Sequence, residues 1–287
     1  MTERVLAIIG GSGLYSLPEL ENIRETTMDT PFGAPSSPIV EGRIGATRLL
    51  FLTRHGRGHR LLPQEVNYRA NIFALRQMGA THVVSISAVG SLQEDIRPGD
   101  LAVPSQYIDR TKGRPSTFFG GGLVGHVNFA DPVCPELATL LATGADHLHH
   151  RMHQNTTLVT MEGPAFSTRA ESRLHRLMGG DLIGMTAMPE AKLAREAELC
   201  YATLALATDY DAWRESEESV TVEQVVATLH RNVEKARAMV VETARRIGDL
   251  PRRCPCPRAL DNAILTDRSA IAPDLAERMK PVFGRVL

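Results

Sequence analysis

The stretch Tyr201-Ala-Thr-Leu-Ala-Leu-Ala-Thr-Asp-Tyr-Asp-Ala-Trp213 constrains the fold more than any other. Its unbroken apolar run is too short to span a membrane and stops at two carboxylates, Asp209 and Asp211, with an indole just beyond. A run bounded in this way reads as a strand buried on both faces, and such strands belong to parallel, helix-covered sheets. Ligands of open α/β sheets gather beyond the carboxyl ends of the strands, so acids at this tip are placed to meet a substrate. Strand-end aspartates also cap the turns that follow them. Both readings stay open for Asp209.

Further strand-like runs occur at Val5 to Ile9, Leu49 to Thr53, His82 to Ser87, Leu158 to Met161 and Leu182 to Ile183. Helical patterns lie between them. Val66 to Met78 sets Val66, Ala70, Phe73, Ala74 and Gln77 along one side and ends at Gly79, while Glu171 to Leu177 and Glu190 to Ala197 read likewise. From Val222 to Ile247 the stripe Val222, Val225, Leu229, Val233, Ala236, Val240 and Ala244 predicts a long helix across the sheet. The alternation implies the α/β class: a single domain with a central mixed, mainly parallel β-sheet flanked by helices. Asp29 to Pro38 and Arg110 to Gly125, rich in Gly and Pro, interrupt the rhythm, and loops that long in a compact domain are usually functional. Pro251-Arg252-Arg253-Cys254-Pro255-Cys256-Pro257 then stiffens the chain. Residues 1–250 are therefore expected to form the domain and 251–287 a C-terminal helical arm of it, docked on another subunit.

A net charge of −1, with both signs interspersed and no basic block, leaves no footprint for nucleic acid or an anionic membrane. A small molecule is the expected partner. The N-terminus enters its first strand without a basic flank, a long apolar core or a cleavage motif, which predicts a cytoplasmic protein.

Several strand tips carry candidate ligands. Gly10-Gly11-Ser12-Gly13-Leu14 offers backbone N–H groups and a hydroxyl to an anion, but Ser16 stands where a dinucleotide fingerprint needs its third glycine, and the Lys-Ser/Thr of a P-loop is missing. A dehydrogenase is thereby disfavoured. Thr53-Arg54-His55-Gly56 puts a guanidinium at the second tip, suited either to bidentate phosphate contact or to a surface salt bridge. Ser87-Ala88-Val89-Gly90-Ser91 supplies small residues and a hydroxyl at the third. Two more tips, Met161 to Ser167 and Gly184 to Glu190, present Phe166 for stacking on a flat heteroaromatic ligand and Met185 as a polarizable wall, unless both pack in the core.

Taken together, these motifs resemble the methylthioadenosine phosphorylases, in the trimeric branch of the purine nucleoside phosphorylase superfamily. The matching pieces include Arg54-His55-Gly56, Pro63-Gln64-Glu65-Val66-Asn67-Tyr68, Gly90-Ser91-Leu92, Asp109-Arg110-Thr111, Glu162-Gly163-Pro164, Phe166-Ser167-Thr168-Arg169, Met185-Thr186, Pro189-Glu190 and Ala207-Thr208-Asp209-Tyr210-Asp211. The resemblance implies reversible phosphorolysis, in which inorganic phosphate, a co-substrate, displaces adenine from the methylthioribosyl group with inversion. It implies no metal and no organic cofactor. On the same footing, Ser12, Arg54, His55, Ser87, Ala88 and Thr186 are expected to hold phosphate. Asp209 and Asp211 are the expected catalytic acids. Phe166, Ser167 and Met185 would line the nucleoside, His59, Val222 and Val225 the methylthio pocket, and His126 would arrive from a neighbouring subunit of a trimer, or of a dimer of trimers.

The chain departs from the family pattern at Ala165, where arginine is common, Val89 (cysteine), Gly184 (asparagine) and Ser87 (threonine). A rival reading is a phosphorylase of 6-oxopurine nucleosides, which would want an amide where this chain has Asp209; a non-catalytic nucleoside sensor is more distant. Cys134 and Cys200 read as ordinary buried thiols. Cys254 and Cys256 form a tight disulfide, bind metal with unseen partners or stay as thiols, and two cysteines alone are too few for structural zinc.

Overall fold

The computed structural model describes residues 3–15, 17–214, 222–251 and 253–287. Its strands are β1 (Val5–Gly10), β2 (Glu21–Thr26), β3 (Ile39–Ile44), β4 (Thr47–Thr53), β5 (His82–Ser91), β6 (Leu101–Arg110), β7 (Met152–Met161), β8 (Leu182–Gly184) and β9 (Cys200–Asp209). The helices are α1 (Tyr68–Gln77), α2 (Pro135–His147), α3 (Arg169–Leu177), α4 (Ala187–Glu196), α5 (Val222–Arg246), α6 (Pro273–Arg278) and α7 (Lys280–Phe283). The strands join one sheet in the order β2-β3-β4-β1-β5-β8-β7-β6-β9. Because β5 also pairs with β9, the far half of the sheet closes into a ring, β5-β8-β7-β6-β9. The pairings of β1 with β4 and β5, of β5 with β9, and of β7 with β6 and β8 are parallel, whereas β2–β3, β3–β4, β5–β8 and β6–β9 are antiparallel. This is the mixed, helix-flanked α/β sheet that the sequence predicts.

The strands that read as continuous apolar runs sort their side chains by parity, as a pleated strand must. Leu6 and Ile8 of β1 and Ala202 and Leu204 of β9 join one core with Leu137 and Leu141 of α2 and Met239 and Val240 of α5. Val5, Ala7 and Ile9 of β1 and Tyr201 of β9 face the other way, onto Ile72 and Phe73 of α1 and Ala191 and Ala194 of α4. Both faces are therefore covered, which is why neither strand shows polar alternation in its sequence.

Local signals place the helix ends. Asn67 accepts the Ala70 N–H at 3.2 Å to start α1, and the chain leaves that helix through Gly79 at φ +88°. A capping box between Thr168 and Glu171 opens α3. The tail docks on its own chain rather than extending away: Leu260, Met279, Val282 and Phe283 are buried in the α1–α4 core. None of the described helices is long and apolar enough to cross a membrane.

Candidate active site

The parallel register brings the tips of β1, β4, β5 and β9 to one edge. Gly10 stands beside Thr53, Ala88 beside Leu206, and Gly90 beside Asp209 after a bulge between Val89 and Gly90. That bulge re-aims the end of β5 so that it also pairs with β8 through Gly90 and Ile183. Helix α5 closes the edge from one side, where Asn232 donates to Ala207 O at 3.1 Å and Arg237 donates to Gly13 O at 2.9 Å.

Arg54 sits beneath these tips and is only 2 % exposed. Its ion pair is buried rather than at the surface: Nε donates to Glu190 Oε1 at 2.8 Å, and Glu190 is fully buried. Nη1 donates to Ile86 O at 3.0 Å, and Nη2 meets Ser85 Oγ at 2.7 Å, Glu190 Oε2 at 3.3 Å and Ile9 O at 3.3 Å. Glu190 further accepts from the Ser85 hydroxyl at 2.6 Å and the Tyr201 hydroxyl at 3.2 Å. Of the five guanidinium N–H groups, one on Nη1 is not accounted for by these acceptors. A fixed cation therefore underlies the strand tips. Glu190 and Ser85, which fix it, were not among the sequence-derived site residues, although Glu190 stood in a matching motif.

His55 continues the chain. Its Nδ1 donates to Leu61 O at 2.9 Å, and its ring stacks on His59 at 4.5 Å between centroids. Burial, with the Arg54 charge beside it, pushes the imidazole down to about 4, so it is neutral at physiological pH. Ser87 and Ala88 are half-buried near the end of β5. Thr186 is buried at the N-cap of α4, yet its side chain makes no capping hydrogen bond.

At the end of β9, Asp209 holds the turn that follows. Asp209 Oδ1 accepts the Asp211 N–H at 2.8 Å, so it does cap the turn, and Oδ2 accepts the Thr208 hydroxyl at 2.7 Å. The turn holds Asp211 at φ +49°, a left-handed conformation that Asp tolerates better than most residues. Asp211 Oδ2 is buried and has no hydrogen-bond partner among the described residues. Gly90 lies under both acids, since a Cβ there would fall 3.0 Å from Asp209 Oδ1 and 3.3 Å from Asp211 Cβ. Trp213 pins the exit, donating to Ser91 O at 2.8 Å beneath the Arg176 guanidinium.

Met185 crowds Gly163, where a Cβ would meet its sulfur at 2.5 Å. Ser167 is buried with its hydroxyl 3.7 Å from the Met161 sulfur, and Phe166 is 44 % exposed. Arg114, from the glycine-rich loop, is a residue that sequence reasoning missed. It donates to Glu162 Oε2 at 3.0 Å and to Met185 O at 2.7 Å and so ties the loop to the segments that follow β7 and β8. His126 is not brought to the strand tips. It is exposed, and its N–H is held by Ala263 O of the tail at 2.9 Å. The side chains of Ser12, Val222 and Val225 lie outside the described part of the structure. A cleft of about 470 Å³ opens between Asp29, Arg76 and the α6–α7 segment, and none of the strand-tip residues lines it. Finally, Cys134 and Cys200, read separately from Cys254 and Cys256, converge with them in one cluster.

A model of the phosphorylase superfamily matches residues 5–245. The chain belongs to that superfamily. Among its superfamily relatives are the S-methyl-5'-thioadenosine phosphorylases of Geobacter sulfurreducens, 51 % identical over 98 % of this chain and 99 % of the relative, and of Thermosynechococcus vestitus, 50 % identical over the whole of both. The crystal structure of a methylthioadenosine phosphorylase from an Antarctic soil metagenomic library superposes with a TM-score of 0.93 at 46 % identity, covering 98 % of this chain and 99 % of the other. That of the Schistosoma mansoni methylthioadenosine phosphorylase in complex with adenine gives 0.81 at 39 % identity, over 85 % and 92 %.

Proposed function

We propose that this site carries out the reversible phosphorolysis of S-methyl-5'-thioadenosine to adenine and 5-methylthio-α-D-ribose 1-phosphate, in methylthioadenosine degradation and purine salvage. The observation that carries the reading is the carboxylate pair at the end of β9, in which a buried oxygen of Asp211 has no partner among the described residues. Buried polar groups are normally satisfied, so an orphaned one beside a strand tip marks where a ligand supplies the missing donor. The substrate after which the relatives above are named has a 6-amino group of the right polarity.

In the proposed step a phosphate oxygen bonds to C1 of the sugar as the C1–N9 bond breaks and its electron pair passes to the purine. Asp209 shares a proton toward N7, which is general-acid help worth about 10² to 10⁴ in rate. The other Asp209 oxygen accepts from the exocyclic amine, and Asp211 completes that contact through Oδ2. Phosphate lies over the tips among Ser12, Arg54, His55, Ser87, Ala88 and Thr186, opposite the developing positive charge. Phe166, Ser167 and Met185 border the nucleoside, and His59, Val222 and Val225 its methylthio end. His126 reaches the site of a neighbour in a trimer, alone or paired into a hexamer. Phosphate is the co-substrate, and the step as written draws on no metal or organic cofactor. The reading places the enzyme in the cytoplasm, with residues 1–250 as the domain and 251–287 as its arm.

A 6-oxopurine would set its carbonyl against the Asp209 carboxylate, two acceptors opposed, and mismatched polar sites reject ligands by about 10⁴ to 10⁵. The test is an assay of methylthioadenosine, methylthioinosine, adenosine and inosine with and without phosphate. Phosphate-dependent loss of methylthioadenosine, well ahead of methylthioinosine, is expected. Preference for the 6-oxo compounds, or binding without turnover, would overturn the proposal.

A further inference from the structure

All 4 cysteines of the chain meet at one place. Cys134 is the N-cap residue of α2, Cys200 opens β9, and Cys254 and Cys256 lie on the tail beyond α5. All are buried, and their four sulfurs lie within 4.8 Å of one another, with Cys200 and Cys254 at 3.4 Å. A tetrahedral zinc–thiolate site, with bonds of about 2.3 Å, has sulfurs about 3.8 Å apart. The observed cluster needs only small side-chain adjustments to reach that figure. No carboxylate or imidazole belongs to the group, and four soft ligands with no open position describe a structural zinc site rather than a calcium, magnesium or catalytic one.

We propose that Cys134, Cys200, Cys254 and Cys256 bind one zinc ion as four thiolates and so staple the tail to the body of the domain. On binding, the four S–H groups lose their protons to solvent, and the ion with its ligands carries a charge of −2. The N-terminus of the 13-residue α2, which starts immediately after Cys134, offers partial positive charge to that anion. The surrounding backbone is already tied in register: Cys134 N–H donates to Tyr201 O at 2.8 Å, and Arg253 N–H donates to Glu136 at 2.6 Å. The site is therefore assembled from three segments whose relative positions the fold fixes. Its consequence reaches further along the tail, where Ala263 O holds the His126 N–H and Ile264 pairs with Gly125.

The test uses the full chain, purified under reducing conditions without chelator. Metal analysis should find about one zinc per chain, the stoichiometry of a closed four-thiolate site. Replacement by cobalt should give the intense sulfur-to-metal charge-transfer bands of a four-thiolate site. The Cys254→Ser, Cys256→Ser double variant should retain at least tenfold less zinc, and a chelator that strips wild type should lower its Tm toward that of the variant. If the variant fails to fold, wild-type stoichiometry and the cobalt spectrum decide alone. Four titratable thiols with no retained metal, disulfide bridges by mass, or cobalt bound without thiolate bands would each overturn the proposal.

Discussion

At Asp209 the structure makes the Asp→Asn exchange a clean experiment. An asparagine keeps Oδ1 for the Asp211 N–H, while its amide nitrogen faces Thr208, whose hydroxyl also lies 3.2 Å from Val89 O and can donate there instead. The cap survives and the acid is lost. Asp209→Asn should shift the kcat/KM ratio from methylthioadenosine toward methylthioinosine by more than about tenfold, or 1.4 kcal/mol. An unchanged ratio in a folded variant would leave Asp209 as a turn cap only. Arg54 requires a different design. Arg54→Ala strands Glu190 as a buried, unpaired charge, which costs about 3–5 kcal/mol, so lost phosphate affinity would be confounded with lost folding. The Arg54→Ala, Glu190→Gln pair should recover much of that stability in denaturant melts while phosphate KM stays raised; recovery of both would remove Arg54 from phosphate binding. Two family departures also explain one another. A Cβ at Gly184 would fall 3.3 Å from Val89 Cγ1, so valine at 89 occupies the space that a larger residue at 184 needs.

Among the strands, those with a buried apolar run were legible in the sequence and those with one wet face were not. β1, β4, β5, β7, β8 and β9 all announce themselves as apolar runs, though several extend beyond the predicted ends. β2 (Glu-Asn-Ile-Arg-Glu-Thr) is exposed almost throughout, and β6 reaches Arg110 through a polar, partly exposed half. β3 alternates Glu41 and Arg43 with buried residues over too short a span to stand out. The strand-tip residues were legible because glycines and hydroxyls cluster there. The Arg54–Glu190 pair and the cysteine cluster were not, since nothing local in a chain says which distant segments meet. α4 carries a further ionisable group, Glu196, which accepts from Thr117 at 2.7 Å and from Phe118 N–H at 2.6 Å, and burial lifts it from 4.5 to about 7. With the folded value above the unfolded one, its contribution to stability is full below about pH 4.5 and lost as pH rises through about 7. Glu196→Gln mimics the protonated form. It should gain on wild type by a few kcal/mol at most between those pH values in urea melts, and parallel curves would refute the assignment.

For the whole molecule, the tail decides two things. It completes the core through Phe283, fully buried and stacked on Phe119 at 4.9 Å, so Phe283→Ala should cost about 3–5 kcal/mol by chemical denaturation. It also presents the exposed His126 loop outward, and the proposed shared site requires the chain to sediment as a trimer or a multiple of it. A stable, fully active monomer would be incompatible with that. The ring in the sheet bears on how such copies can meet. Every described strand except β2 has neighbours on both flanks along at least part of its length. The one open rim carries Glu21, Arg24 and Glu25 and is kinked between Glu21 and Arg24. Zipping one sheet onto another is thereby discouraged at the open edge of the described strands, and a newly made chain in a crowded cell is steered away from fibrils and toward contact through its helices and loops.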